Sequence, residues 1–126
     1  MSSPTQRSLE MLRENGYRAE VTEHWNAYAR IRKDLFGFID IVALRGNEKG
    51  VLGIQTTSAA NLGARIEKTL ALPIYKLWLQ CGNRIEFHGW RKIRIKKGSK
   101  QIRWEAIVRR LILENQQPVV LDSECL

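Results

Sequence analysis

Residues Phe36 to Leu44, FGFIDIVAL, are apolar and β-prone apart from one aspartate and the glycine, and they set the frame for the whole chain. Such a run has the composition of a strand buried on both faces, inside a sheet that other elements cover. Asp40 interrupts it in the middle. A lone carboxylate in that position loses its hydration unless a cation or hydrogen bonds replace it. Two solutions stay open: Asp40 sits at the wet end of the strand or bonds a nearby backbone group, or it holds a metal ion.

The next residues extend the argument. Arg45 to Gly50 have turn composition, so Val51 to Thr57 reads as a second central strand hairpinned to the first. Side chains alternate along a strand, which puts Leu52, Ile54 and Thr56 on one face and Val51, Gly53, Gln55 and Thr57 on the other. Gln55 and Thr57 are then neighbours on one surface, and the hairpin can bring Asp40 and Gln55 around one cation.

The flanking sequence supplies the covering layers. Ser3-Pro4-Thr5-Gln6 has the order of a capping box and predicts a helix that ends at Asn15-Gly16. Tyr17, Ala19 and Val21 alternate with polar residues as in a half-buried strand, with Glu23 continuing on its buried side. The aromatic and basic segment from Trp25 to Lys33 reads as a loop or ribbon. After Ser58, the spacing of Leu62, Ile66 and Leu70 predicts a helix, and Pro73 either kinks it or starts another. Arg84 to Trp90 reads as a further strand, followed by a basic hairpin from Arg91 to Arg103. Trp104 to Leu113 fits strand or helix. The expected organisation is one domain over residues 1–126, with its core at about 3–113 and a poorly ordered tail at about 118–126.

Charge limits the partners. Lys and Arg number 21 against 13 Asp and Glu, a net charge of +8, which favours a polyanion through phosphate contacts and counterion release. Arg30, Arg32 and Lys33 precede the Asp40 strand, Arg65 lies on the following helix, and Arg94, Lys96 and Lys97 crowd the later hairpin. Tyr28 and Trp25 are candidates for stacking on an unpaired base, although tryptophans more often belong to a core or its edge. No apolar run approaches the ~20 residues that cross a bilayer, and MSSPTQRSLE lacks the pattern of a signal peptide. The expected location is the cytoplasm, without a membrane partner. Cys81 and Cys125 read as free thiols, and His24 and His88 lack zinc-binding spacing. No phosphate-cradling glycine-rich loop is present.

The order of helix, strand, strand with Asp40, turn, strand with Gln55-Thr56-Thr57 and helix resembles the PD-(D/E)XK nuclease superfamily. The layout around Gly16-Tyr17, Asp40-Ile41-Val42-Ala43 and Leu52-Gly53-Ile54-Gln55-Thr56-Thr57 is similar to that of archaeal-type Holliday junction resolvases and Mrr-like restriction nucleases. The resemblance spans roughly the first ninety residues. It implies an α/β fold with a restriction-endonuclease-like core, a mixed central β-sheet flanked by helices.

The implied activity is magnesium-dependent (or manganese-dependent) DNA endonuclease cleavage, selective for structure and leaving a 5′-phosphate. Asp40 would be the principal metal ligand, Gln55 a second through its amide oxygen, and the Thr56 carbonyl a third. Thr57 occupies the place of the family's lysine, and Lys68 or Arg65 would supply a migrated cation. Glu23 and Asp34 are further acidic candidates. The family's first-helix glutamate has its place near Thr5 or Gln6, where this sequence has no acid, and Glu10 lies about a turn too late. Resolvase relatives are dimers, so a homodimer is an expected assembly, through a strand edge or the stretch from Leu72 to Leu79. Because a threonine cannot replace a lysine's charge, a second expectation is a nuclease fold that has lost catalysis and binds nucleic acid. A third, an assembly protein using its basic face on an acidic protein, predicts no nucleic-acid binding.

Overall fold

The first helix, α1 (Pro4–Glu14), begins as its capping sequence requires: the Ser3 hydroxyl accepts the Gln6 N–H at 3.2 Å. Gly16, at φ +86°, ends it in the left-handed conformation that costs glycine least. The computed structural model describes residues 3–22, 24–95, 98 and 100–123. Glu23, Lys96 and Lys97 lie outside the described residues.

After α1, β1 (Arg18–Val21) forms a sheet edge with Ala19 buried and Val21 40% exposed, so the expected buried face holds only as far as Ala19. The segment read as a loop or ribbon is a ribbon: β2 (His24–Asn26) and β3 (Ile31–Lys33) pair antiparallel, apart from the main sheet.

The run FGFIDIVAL departs from its expected form. Only Ile41–Leu44 is strand, β4. Phe36 and Gly37 take φ of +54° and +84°, and Leu35 bridges back to Ile39. The chain turns there because Gly37 has no side chain to forbid it, and Phe38 and Ile39 are buried in the core instead of lengthening the strand. Asp40 therefore stands at the beginning of the strand, not in its middle.

Next, β5 (Leu52–Ser58) pairs antiparallel with β4, Ile41 facing Ile54, and parallel with β6 (Arg84–Arg94). A parallel neighbour needs a crossover. Here it is a short 3₁₀ turn (Ala59–Asn61), α2 (Leu62–Leu70) and α3 (Ile74–Gln80), with Pro73 opening the second helix. The undecided segment after Trp104 is strand, β7 (Ile102–Glu114). Of the tail expected to be poorly ordered, residues Gln117–Ser123 instead form β8 on the sheet edge, and residues 124–126 lie outside the described residues. Asn115 and Gln116, both at positive φ, make the two-residue turn that returns the chain.

The result is an α/β architecture, a six-stranded mixed sheet in the order β1-β4-β5-β6-β7-β8 with helices on both faces. Leu9 and Leu12 of α1 pack on Ile41, Leu52 and Ile54 on one side. Phe38, Ile39, Leu62 and Tyr75 cover Ile85 and Phe87 on the other. Among the described residues, no helix is long and apolar enough to cross a membrane.

Candidate functional site

Asp40 and the Gln55–Thr57 segment, the centre of the site expected from the sequence, lie where β4 and β5 part. The β4–β5 register ends at the Ile41–Ile54 pair, and Asp40 follows it in a bulge, sharing Ile54 with Ile41. The Asp40 backbone still belongs to the sheet: its N–H donates to the Ile54 carbonyl at 2.9 Å, and its carbonyl accepts the Thr22 N–H at 2.8 Å. The side chain does what a third strand residue would have done. Its Oδ2 accepts the Thr56 N–H at 2.8 Å and the Thr56 hydroxyl at 3.3 Å. Of the two solutions open for a carboxylate in this run, bonding to a nearby backbone group is present. These bonds offset the desolvation of a side chain that is 5% exposed.

The Thr56 N–H bond orients more than itself. In an extended strand the N–H and C=O of one residue point to the same side, so the Thr56 carbonyl also faces the gap that β4 leaves. Thr56 is held from the other layer by Thr5 of α1, hydroxyl to hydroxyl at 2.8 Å. The first helix thus reaches the site at the position where the nuclease resemblance would put an acid, and it brings a neutral hydroxyl.

Gln55 and Thr57 project to the α2 side, buried at 1% and 7% exposure. The Gln55 Oε1 accepts from the Thr69 hydroxyl over a long 3.3 Å, and the same hydroxyl reaches the Arg65 carbonyl at 3.1 Å. Residues four apart share a helix face, so Arg65, half-buried, lies on the Thr69 side of α2. Lys68 is exposed. Asp34, half-exposed, follows β3 and accepts the Gly37 N–H through its carbonyl.

The basic residues fall into separate groups. Arg30, exposed at φ +53°, and exposed Lys33 belong to the β2–β3 ribbon, and Arg32 pairs with Trp25 in its register. Arg94 is exposed on β6. Tyr28 is fully exposed in the ribbon's turn.

Sequence reasoning missed a second polar cluster under α1. Glu86 and His88, both 0% exposed, alternate with Ile85 and Phe87 along β6. His88 Nε2 lies 3.2 Å from Glu86 Oε1, and its Nδ1 lies 2.8 Å from the Ser8 hydroxyl. The Trp90 indole N–H donates to the same Ser8 oxygen at 2.9 Å. With Nε2–H facing the carboxylate, Nδ1 is left to accept the Ser8 proton. Arg110 stands 3.7 Å from the other Glu86 oxygen, which has no hydrogen bond. Hydroxyl, imidazole and carboxylate are in the order of a nucleophilic triad, yet Ser8 is 0% exposed and its oxygen is covered by Trp90. The cluster ties α1 to β6. Its sequence signal is the one Asp40 gave, a charged residue in an apolar strand.

Among the described residues, no three His, Cys, Asp or Glu side chains converge as a metal cluster. What the gap offers is one carboxylate and one backbone carbonyl facing it, while the Gln55 amide lies on the α2 side with Thr69. That hard-oxygen set fits magnesium, which takes one or two carboxylates and fills its remaining positions with water and substrate phosphate. Compared with known proteins, the chain matches no family model, no curated protein and no solved structure.

Proposed function

We propose that this chain is a metal-dependent DNA endonuclease of PD-(D/E)XK type, hydrolysing phosphodiesters at the gap between β4 and β5. One observation carries the reading: the Asp40 carboxylate stands where β4 and β5 part and accepts the Thr56 N–H at 2.8 Å, so the Thr56 carbonyl faces the same gap. Asp40 would be the charged ligand for magnesium or manganese and the Thr56 carbonyl a second, and the Gln55 amide oxygen would join them on leaving Thr69. Bound there, the ion supplies an activated water and neutralises charge developing on the phosphate.

The protein's own groups do the rest. Thr56 and Thr5 hold the Asp40 carboxylate in one orientation, so ligand geometry is set before substrate arrives. Arg65, on the Gln55 side of α2, takes the electrostatic role of the absent lysine, stabilising the phosphorane-like charge without proton transfer. The net charge of +8 draws the polyanion in.

The test is cleavage of labelled duplex, single-stranded and four-way-junction DNA with magnesium or manganese, wild type beside Asp40→Asn. Metal-dependent cleavage lost in the variant supports the assignment; cleavage at the wild-type rate in Asp40→Asn refutes it. A second reading, a nuclease-like fold kept as a nucleic-acid grip, is favoured by Thr57, a neutral residue 7% exposed at the position of the catalytic lysine. It expects binding without cleavage, unchanged by Asp40→Asn.

A further inference from the structure

The hairpin of β6 and β7 outgrows the sheet. Among the described residues, β5 accompanies β6 only as far as Trp90, and β8 accompanies β7 only from Val108 onward. Arg91–Arg94 and the residues facing them, Ile102 to Glu105, therefore form a two-stranded arm.

The two faces of this arm differ in charge. Trp90 points toward α1, because its indole bonds Ser8. Alternation and register then put Lys92, Arg94, Ile102 and Trp104 on the α1 side. The guanidinium of Arg7, from α1, lies 3.4 Å from the centre of the Trp104 ring, and the Lys92 ammonium lies 5.2 Å from it. On the opposite face Glu105 pairs with Arg91 at 2.7 Å and stands 3.9 Å from Arg103. Among the described residues, Arg7, Lys92 and Arg94 have no carboxylate within ion-pair distance. One face is thus internally compensated, and the other carries Arg7 and Lys92 against the Trp104 ring with Arg94 further along the same face.

We infer that the α1-side face of the arm is a binding surface for double-stranded nucleic acid, with Arg7, Lys92 and Arg94 each neutralising a backbone phosphate. This rests on the proposal that the protein acts on nucleic acid. The partner follows from the shape and chemistry of the face. A two-stranded ribbon fits the major groove of a duplex, and cations without carboxylate partners gain by releasing the duplex's counterions. Trp104 is 39% exposed, but Arg7 covers a face of its ring, which favours phosphate contact over base stacking on that face. Trp104 is a positioning residue: it holds the Arg7 guanidinium against the arm through the cation–π contact.

The experiment is a salt titration of binding to a labelled DNA duplex, followed by fluorescence anisotropy in the absence of divalent metal. Each lost phosphate contact lowers the slope of log affinity against log salt by about 0.9. Arg7→Gln, Lys92→Gln and Arg94→Gln should each flatten the slope by that amount. Between ~50 and ~200 mM salt, wild type should lose about 40-fold more affinity than the triple variant. Trp104→Ala should match Arg7→Gln, and combining the two should add nothing further. Arg91→Gln, on the compensated face, should leave the slope unchanged.

Duplex binding with an unaltered slope in the triple variant overturns this surface and leaves the proposed function standing. A slope that falls equally with Arg91→Gln overturns the choice of face. Preference for single strands over duplex, with quenching of Trp104, overturns the partner. Failure of the wild type to bind any nucleic acid at ~50 mM salt removes the functional reading itself, along with the inference.

Discussion

Replacing Ser8 by alanine sets two physical effects against each other. Alanine is the better helix former, and at an interior position of α1 it should gain up to about 0.5 kcal/mol. Against this, the Ser8 hydroxyl serves two buried partners, His88 Nδ1 at 2.8 Å and the Trp90 indole N–H at 2.9 Å. Both lose their hydrogen bond at once, and water cannot replace it readily, since His88 is 0% and Trp90 8% exposed. Each orphaned group costs about 1–3 kcal/mol. The net expectation is a loss of about 2–5 kcal/mol, a large share of the ~5–15 kcal/mol typical of a domain. In urea, with a slope of about 2 kcal/mol/M, the midpoint should fall by roughly 1–2.5 M without a change of slope. The transition should also melt about 8–20 °C lower, taking ~4 °C per kcal/mol for this size. A midpoint equal to or above wild type would refute the claim that this cluster anchors α1 to the sheet.

Other substitutions test other parts of the account. Gln55→Glu replaces the amide beside Thr69 by a carboxylate, which as a metal ligand should lower the magnesium needed for half-maximal cleavage at least about tenfold, while the metal-free protein should melt lower because the added charge is buried; an unchanged metal requirement would argue that Gln55 is no ligand. Arg65→Ala should lower the cleavage rate about 10²- to 10³-fold, as loss of a preorganised charge does, and Lys68→Ala, on the exposed flank, should cost less than tenfold; the reverse order in single-turnover rates would move the cation to Lys68. At Gly50, φ is +78° and a Cβ would be driven into the Gly82 carbonyl, so Gly50→Ala should cost about 2–5 kcal/mol in urea denaturation, and a loss below ~0.5 kcal/mol would contradict the turn as described.

Periodicity reads a sheet's interior well and its ends poorly. The alternation of Leu52, Ile54 and Thr56 against Gly53, Gln55 and Thr57 was legible because β5 is covered on both faces by separate layers. The run from Phe36 to Leu44 looked like one strand because apolar composition is the same whether residues extend a ladder or fold back into a core. Gly37 was the only local sign of the turn, and it moves Asp40 from the middle of a strand to its start. β8 was missed for a similar reason, since Asn115-Gln116 lacks the glycine that usually marks a two-residue turn.

Long-range polar pairing was out of reach in another way. Ser8 lies eighty residues from His88, and no spacing rule connects them. Glu86 and His88 nevertheless signalled themselves as charged and polar residues in an apolar strand. At the gap, the sequence pointed to Asp40 and the Gln55–Thr57 segment; it did not indicate that Thr56 would satisfy Asp40 through its own N–H and hydroxyl, that Thr5 would stand behind it, or that Gln55 would turn to Thr69.

The claim that Asp40 organises a divalent-metal site is tested most directly by manganese binding, measured by electron paramagnetic resonance with a short duplex made uncleavable by phosphorothioate linkages. Wild type should hold manganese at least about tenfold more tightly than Asp40→Asn, since a tenfold change corresponds to only ~1.4 kcal/mol and a carboxylate supplies more than that to a hard cation. Equal manganese affinity in the two proteins, with both still folded and bound to the duplex, would contradict the account.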